Sequence, residues 1–561
     1  MNRHLIYSIF FFLFGGFIFY LSLPVLRFGY YGIGVLITIL LALIATVELI
    51  RWQSKKKKMS KGWLIALIAS LFYITLLPLF TTWALFRADD YRNLLGTVSI
   101  GENFSSVVAP ISTEEIRIVD QSVAERLGDK ILGAQPALGS QVELGTFNIQ
   151  KVNDKLYWVA PLLHSGFFKW NRNKEGTPGY VMVASNNERD VQLVQEVNGK
   201  PLKLKYQPNS FFGSYLKRHI YLNGYATRGF TDYTFEIDDN GVPYWVVTLY
   251  RKEIGFSGEN ATGMITVNPA SGQINEYRIE NAPAWIDRIQ PEDFVVDQLN
   301  GWGEYVQGFW NFANENKLTT TQGVSLVYGD DNQAWWYTGL TSVGSDEGTV
   351  GFTLVNTRNK EAIWYKQVGA TETAARRSAM GRVQEKGYEA SFPITYNING
   401  IPTYVMALKD QAGLVKLISM VSVQDYTLVG IGNTIQESLR DYKSSVNSKG
   451  DAIVPGSIVE SYAIQSTVNR ISTDIRGGNT FYYLLLENPA NKIFVGSSLI
   501  SNELPVTRAG DQIKIAYDDG ENEVVDINQF DNLEMKLEKT TRQIEQDEYF
   551  AETESVKQTP Q

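Results

Sequence analysis

The chain reads as an α-helical membrane anchor of three spans, followed by tandem α+β repeat domains and a C-terminal all-β barrel. Three observations predict this: three apolar stretches of about 20 residues near the amino terminus, a turn-and-strand unit that returns four times between Asn153 and Tyr404, and a series of strand-like runs after Pro455.

The apolar stretches run over residues 5–23, 30–50 and 62–86. At ~1.5 Å per residue each is long enough to cross ~30 Å of hydrocarbon. Between the second and third lies the one dense basic cluster, with Lys55, Lys56, Lys57 and Lys58 in a row. Cytoplasmic loops are enriched in Lys and Arg close to the membrane. The cluster therefore places this loop and the amino terminus inside, and everything after Arg87 outside, in a multi-pass protein of the bacterial cytoplasmic membrane. Tyr20, Tyr30, Tyr31, Trp52, Trp63 and Trp83 sit near the span ends, where amphipathic rings favour the headgroup layer. A cleaved signal peptide is the rival for the first stretch, but Leu23-Pro24-Val25-Leu26-Arg27 lacks a small-x-small cleavage pattern.

Composition then limits the chemistry. Of 561 residues none is Cys and three are His, which excludes disulfides, thiolate nucleophiles and Cys-ligated metals. His4 belongs to the anchor, leaving His164 and His219 outside, too few for a three-histidine zinc site. The net charge is −9 although the basic loop lies inside, so the exterior is the more acidic part and nucleic acid is a poor partner. Gly255-Phe256-Ser257-Gly258 is not a Gly-x-Ser-x-Gly elbow. Asp238-Asp239-Asn240, Asp330-Asp331-Asn332 and Asp518-Asp519-Gly520-Glu521 lack the spacing of a calcium loop and read as turn formers. Gly430-Ile431-Gly432 ahead of a helix reads as capping rather than an anion site. No cofactor and no metal is expected.

The repeat organises the exterior. Asn153-Asp154 followed by Tyr157-Trp158 recurs as Asn240-Gly241 before Tyr244-Trp245, as Asp331-Asn332 before Trp335-Trp336, and as Asn399-Gly400 before Thr403-Tyr404. Asn-Gly between apolar runs is a strong hairpin signal, because both residues tolerate the positive φ of tight hairpin turns. A Gly-led strand follows each hairpin, at Gly179, Gly263, Gly351 and Gly413, and in the middle pair the match continues to Asn268 and Asn356. Ser112-Thr113-Glu114-Glu115 fits a capping box before an i, i+4 stripe of Val119, Val123, Leu127 and Ile131. Val119-Asp120-Gln121 recurs as Val296-Asp297-Gln298. These signals divide the chain into an anchor (1–90), two α+β halves of an internal duplication (112–285 and 290–425), a helical linker (430–450), a small β-barrel (455–533), and a polar helix with a disordered tail (534–561).

A helix, a strand, an Asn-Gly-like turn, an aromatic-bearing strand and a last strand reading Val267-Asn268-Pro269-Ala270-Ser271-Gly272-Gln273 together resemble the PepSY domain of peptidase propeptides and bacterial envelope proteins, most clearly over residues 231–280. The third unit, Asn356-Thr357-Arg358-Asn359-Lys360, lacks the Gly. What the resemblance implies is binding or inhibition of a partner, often a secreted peptidase; no family site residues transfer. The five C-terminal strands, with Gly510-Asp511 opening the fourth, are similar to a small OB-like barrel.

Tyr157, Trp158, Tyr244, Trp245, Trp335 and Trp336 are the candidate partner-binding residues, as a ladder stacking on sugars or peptide side chains. Adjacent strand residues point to opposite faces, so one of each pair should be buried, and the competing reading is core. The function expected is a non-catalytic extracytoplasmic binding or scaffold protein of the bacterial envelope, touching the bilayer through residues 5–86 and an envelope protein or glycan outside. The alternatives are a carboxylate-dependent envelope hydrolase or a structural subunit of a membrane complex.

Overall fold

A computed structural model describes residues 3–55, 61–101, 116–329, 333–344, 348–398, 400–448, 461–476, 479–498, 500–518 and 523–535. Lys56 to Lys58, the Ser112–Glu115 capping box, the Asp331-Asn332 turn, Asn399 and the tail lie outside them.

Turn chemistry sets the fold. Asn153 and Asp154, at φ +48° and +62°, form a two-residue turn that pairs Val152 with Lys155, the geometry that matches the right-handed twist of the flanking strands. Asp238 Oδ1 accepts the backbone N–H groups of Asn240 (2.9 Å) and Val242 (2.8 Å), and Gly241 supplies φ +76°. Gly400, at φ +82°, sits between Ile398 and its partner Ile401.

Each turn opens an antiparallel meander of four strands. The first comprises Asn148–Val152, Lys155–His164, Tyr180–Ala184 and Val191–Val194. The second comprises Gly229–Ile237, Pro243–Ile254, Ser257–Val267 and Ile274–Tyr277. In the third, Ser325–Tyr328, Ala334–Ser342, Gly351–Asn356 and Ala362–Tyr365 are extended by Val98–Gly101, which adds parallel to the last strand. The fourth comprises Ile394–Ile398, Ile401–Lys409, Val415–Ser422 and Val429–Gly432.

The chain divides into two compact units, residues 1–373 with 412–415, and residues 374–411 with 416–561. In the first, Val159, Tyr180, Phe235, Trp245, Val247 and Ile265 build a core shared by the first two meanders. In the second, Ser461–Arg476, Asn479–Leu486, Ile493–Ser497, Val524–Asn532 and Gln512–Asp518 close a barrel around Leu484, Phe494, Ile513 and Phe530.

The structure corrects the fold class read from the sequence. Among the described residues two helices, Tyr31–Ile50 and Gly62–Thr82, are long and apolar enough to cross a membrane, not three. The first helix runs Arg3–Ser22, and only its Ile9–Ser22 part stands as a shorter apolar helix. The rest is mostly β-sheet rather than α+β. Helices precede three of the hairpins, at Gln121–Gly133, Glu292–Glu304 and Glu372–Gly381, whereas the helix-like stretch at 210–222 is α-helical only over Leu216–Ile220, with Phe212 (φ +51°) and Gly224 (φ +107°) out of helical geometry on either side. Asp120, not the Ser112 box, caps the Gln121–Gly133 helix, accepting the N–H of Val123 at 2.9 Å. Asp297, matched to Asp120 by sequence, lies instead inside the Glu292–Glu304 helix.

Candidate functional site

The repeated aromatics serve the hairpins that carry them. The indole N–H of Trp158 donates to the Val119 carbonyl (2.7 Å), that of Trp245 to Tyr206 (2.8 Å), and that of Trp336 to Gln290 (2.9 Å). In these three units the second aromatic thus clamps the segment that leads into the preceding helix, and a buried indole N–H needs such a partner. Trp245, Trp335 and Trp336 are buried; Tyr157, Trp158 and Tyr244 are half-buried, with Tyr244 stacked on Trp285 at 5.2 Å. The six do not come together as a solvent-facing ladder. His164 is buried, which lowers its pKa, and His219 Nε2 lies 2.7 Å from the Gly272 carbonyl oxygen.

Three other places in the first unit bring polar or aromatic side chains together. One is a seat on the anchor. Gly255 and Phe256 form the turn pairing Ile254 with Ser257, with Gly255 at φ +61°. Phe256, 2 % exposed, wedges among Tyr31 (4.8 Å between ring centroids), Tyr73 (5.3 Å) and Phe28 (5.9 Å), and its N–H donates to Thr82 Oγ1 at 2.9 Å. Nearby, Tyr221 donates to the Pro24 carbonyl (2.7 Å), Leu26 N–H to Ala226 (2.7 Å), and Arg218 to Tyr20 (3.1 Å) with its guanidinium 3.8 Å over the Tyr20 ring.

The second is a cleft of about 250 Å³ beside that seat, lined by Tyr91, Glu259, Phe294, Asp297, Glu304 and Tyr305 among others. Phe294, Asp297, Gln298, Gly301 and Tyr305 follow i, i+3, i+4 spacing along the Glu292–Glu304 helix and its C-cap, so they share one face. A Cβ at Gly301 would stand 3.0 Å from the Tyr91 carbonyl oxygen, so glycine there lets this helix approach the Ala84–Asn93 helix. Burial, then the charges of Glu259 and Asp293, raises the pKa of Asp297. Lys252 pairs with Glu259 at 3.0 Å and leaves Asp297 and Glu304 as surplus negative charge, a field that favours cations over anions. Among the described residues no three His, Asp or Glu side chains are placed to hold a metal ion.

The third is a buried charge cluster where the second meander meets the linker to the third. Glu236 is fully buried and accepts from Thr234 Oγ1 at 2.9 Å; burial, opposed by the charge of Arg288, raises its pKa to about 7. Asp287 accepts the Lys151 N–H (2.9 Å) and the Tyr328 hydroxyl (2.8 Å), yet burial still raises its pKa. Asp232 is the extra residue of a β-bulge, at φ +53°, and its pKa is raised by burial against Arg288. Bulges re-aim side chains, and this one sets a third carboxylate in the field of Arg288. Glu236 has no exposed surface, so a sugar ring cannot reach it in this conformation.

No sequence signal pointed to these groupings, because each unites segments far apart in the chain, as Tyr91 with Asp297.

Searches against protein-family models and curated proteins find no match. Among solved structures, a Bombyx mori GH32 beta-fructofuranosidase mutant in complex with sucrose aligns over 73 % of this chain and 70 % of that one, at 9 % identity and a TM-score of 0.18. At that TM-score the likeness carries no argument about fold or chemistry.

Proposed function

We propose that the chain is a membrane-anchored, extracytoplasmic binding or scaffold protein of the bacterial envelope, acting without catalysis. The observation that carries this is the seat: Phe256 packs on the start of one spanning helix and the end of the other, and the 218–226 segment bonds residues 20–26 just ahead of them, so a β-domain rides on a helical hairpin. Both contacted helix ends are opposite the Lys55–Lys58 loop. With that loop inside, the meanders lie outside. The acidic cleft at the seat is where a cationic group of a partner would be accommodated, and an envelope protein or glycan is the partner class.

The absence of cysteine from the sequence makes the topology test clean. In intact cells, a membrane-impermeant maleimide should label Asp239→Cys and spare Lys58→Cys; the reverse pattern refutes the orientation. Turnover of an envelope glycan by the purified full-length protein, abolished by a single carboxylate change, refutes the non-catalytic reading.

A further inference from the structure

Six aromatic side chains beyond residue 100 are exposed among the described residues: Phe167, Phe168, Phe212, Trp310, Phe312 and Tyr426. Five of them fall on two loop clusters, and both clusters are tied to the ends of the anchor. Exposed apolar rings at one end of a domain need a partner, since water solvates them poorly.

In the first cluster Phe168 is 79 % exposed and Phe212 56 %, held through Phe167, Trp170 and Phe211 at ring separations of 5.2 to 5.8 Å. The carbonyl of Phe212 accepts from Arg218 (2.8 Å), the residue that also donates to Tyr20 at the end of the first apolar helix. Leu222, 68 % exposed, follows Tyr221, which donates to Pro24. Phe212 holds φ +51°, a costly conformation for a bulky residue that persists only where the surroundings impose it.

In the second cluster Trp310 (70 % exposed) and Phe312 (71 %) flank Asn311, and Phe309 packs on Trp83 at 6.2 Å, just past the Gly62–Thr82 span. Residues 305–314 carry no charge, and Asn311 braces the loop by bonding both backbone groups of Glu315.

We infer that these two loops are immersed in the interfacial layer of the bilayer, so that the β-domain lies against the membrane through Phe168, Phe212, Leu222, Trp310 and Phe312 as well as through its helices. The occupant is the lipid surface because both patches continue directly from the ends of apolar helices, marked by Tyr20 and Trp83, where amphipathic and aromatic side chains partition. Lys169, Arg172, Lys174 and Lys217 beside the first cluster suit headgroup phosphates.

The inference rests on the anchor reading but not on its sidedness. The test uses full-length protein in phosphatidylcholine–phosphatidylglycerol nanodiscs, with a nitroxide on single cysteines at Phe168, Trp310 or Phe312 and a control at Asp239. That control sits at the tip of the Gly229–Pro243 hairpin, some 35–40 Å from Ile254 at ~3.3 Å per residue. Oxygen should relax the three loop labels at least twofold more effectively than a water-soluble nickel chelate, and the reverse should hold at Asp239. In detergent-free quenching by brominated lipid, Trp310→Ser should lose part of the quenched emission. Loop labels as open to nickel as Asp239, or unchanged quenching in Trp310→Ser, overturn the inference. Maleimide labelling on the wrong side of the cell would refute the orientation while leaving immersion standing.

Discussion

Replacing Glu236 with Gln isolates the cost of a buried acid. The ordinary glutamate pKa is 4.5, and burial raises that of Glu236 to about 7. A carboxyl whose folded pKa is raised stabilises fully below the unfolded pKa and loses that contribution as pH rises through the folded one. Below about pH 4.5 both states hold the proton. Between about 4.5 and 7 the unfolded chain releases it while the folded chain keeps it, at about 1.4 kcal/mol per pKa unit. The shift of 2.5 units (about 7 minus 4.5) thus removes about 3 kcal/mol of stability by pH 8. Gln keeps the oxygen that accepts from Thr234 and cannot ionise. Asp232 and Asp287 are shifted in the same direction and steepen the pH dependence of both proteins alike, so the difference between variant and parent is the informative quantity. All twelve tryptophans precede Thr373, so their fluorescence in guanidinium titrations reports the first unit. The stability of Glu236→Gln relative to the parent should rise by about 3 kcal/mol from about pH 4.5 to about pH 8. A difference constant to within about 1 kcal/mol over that range would show that Glu236 ionises freely in the fold and would refute the reasoning.

Phe256→Ala empties the wedge among Phe28, Tyr31 and Tyr73 and should cost about 3–5 kcal/mol; a thermal transition of the detergent-solubilised protein within 1–2 °C of the parent would count against the seat. Trp245→Phe keeps most of the ring but leaves the Tyr206 carbonyl without its indole donor, an expected loss of about 1–3 kcal/mol by the same fluorescence titration. Asn532 is fully buried in the barrel, donating its backbone N–H to the Glu503 carboxylate (2.8 Å) and its side-chain amide to Thr507 (3.0 Å) and Asp511 (2.9 Å). Asn532→Ala should therefore accelerate amide exchange in Gln512–Asp518 and Val524–Asn532 at least tenfold, about 1.4 kcal/mol, read by mass spectrometry because the second unit has no tryptophan.

Local chemistry was the legible part. Asn153-Asp154, Asn240-Gly241 and Gly400 announce turns because positive φ is written in residue type, and the structure closes a hairpin at each. The spacing of Trp158, Trp245 and Trp336 was visible too, but not their purpose, since the carbonyls they bond lie 39, 39 and 46 residues away. Apolar length alone overcounted the spans: the described residues hold two helices of spanning length and a shorter apolar one, Ile9–Ser22. The matched Val119-Asp120-Gln121 and Val296-Asp297-Gln298 misled, because Val119 corresponds in structure to Gln290, the carbonyl that receives the equivalent indole. The cleft and the buried acids were not legible, as proximity between segments about 200 and 50 residues apart leaves no periodicity behind.

The clearest departure of the repeat from its own pattern explains how the units are joined. Asn268 Oδ1 accepts the N–H groups of Ala270 and Ser271, and Asn356 Oδ1 accepts those of Arg358 and Asn359, so the two turns are built alike. Gly272 closes the first at φ +76°, and Lys360 takes the same place in the second at φ +67°. A side chain in that region costs about 1–2 kcal/mol relative to glycine. Lys360 Nζ offsets this by bonding the Leu94 carbonyl (2.8 Å) and Asn260 Oδ1 (2.9 Å), one in the segment leaving the anchor and one in the second meander. Two residues earlier, Arg358 bonds the carbonyls of Ala282, Ala284 and Ile286 in the linker. The residues that break the sequence repeat are therefore those that fasten the third meander to the second and to the segment following the apolar helices, and a glycine at 360 would restore the motif while giving up two of those ties.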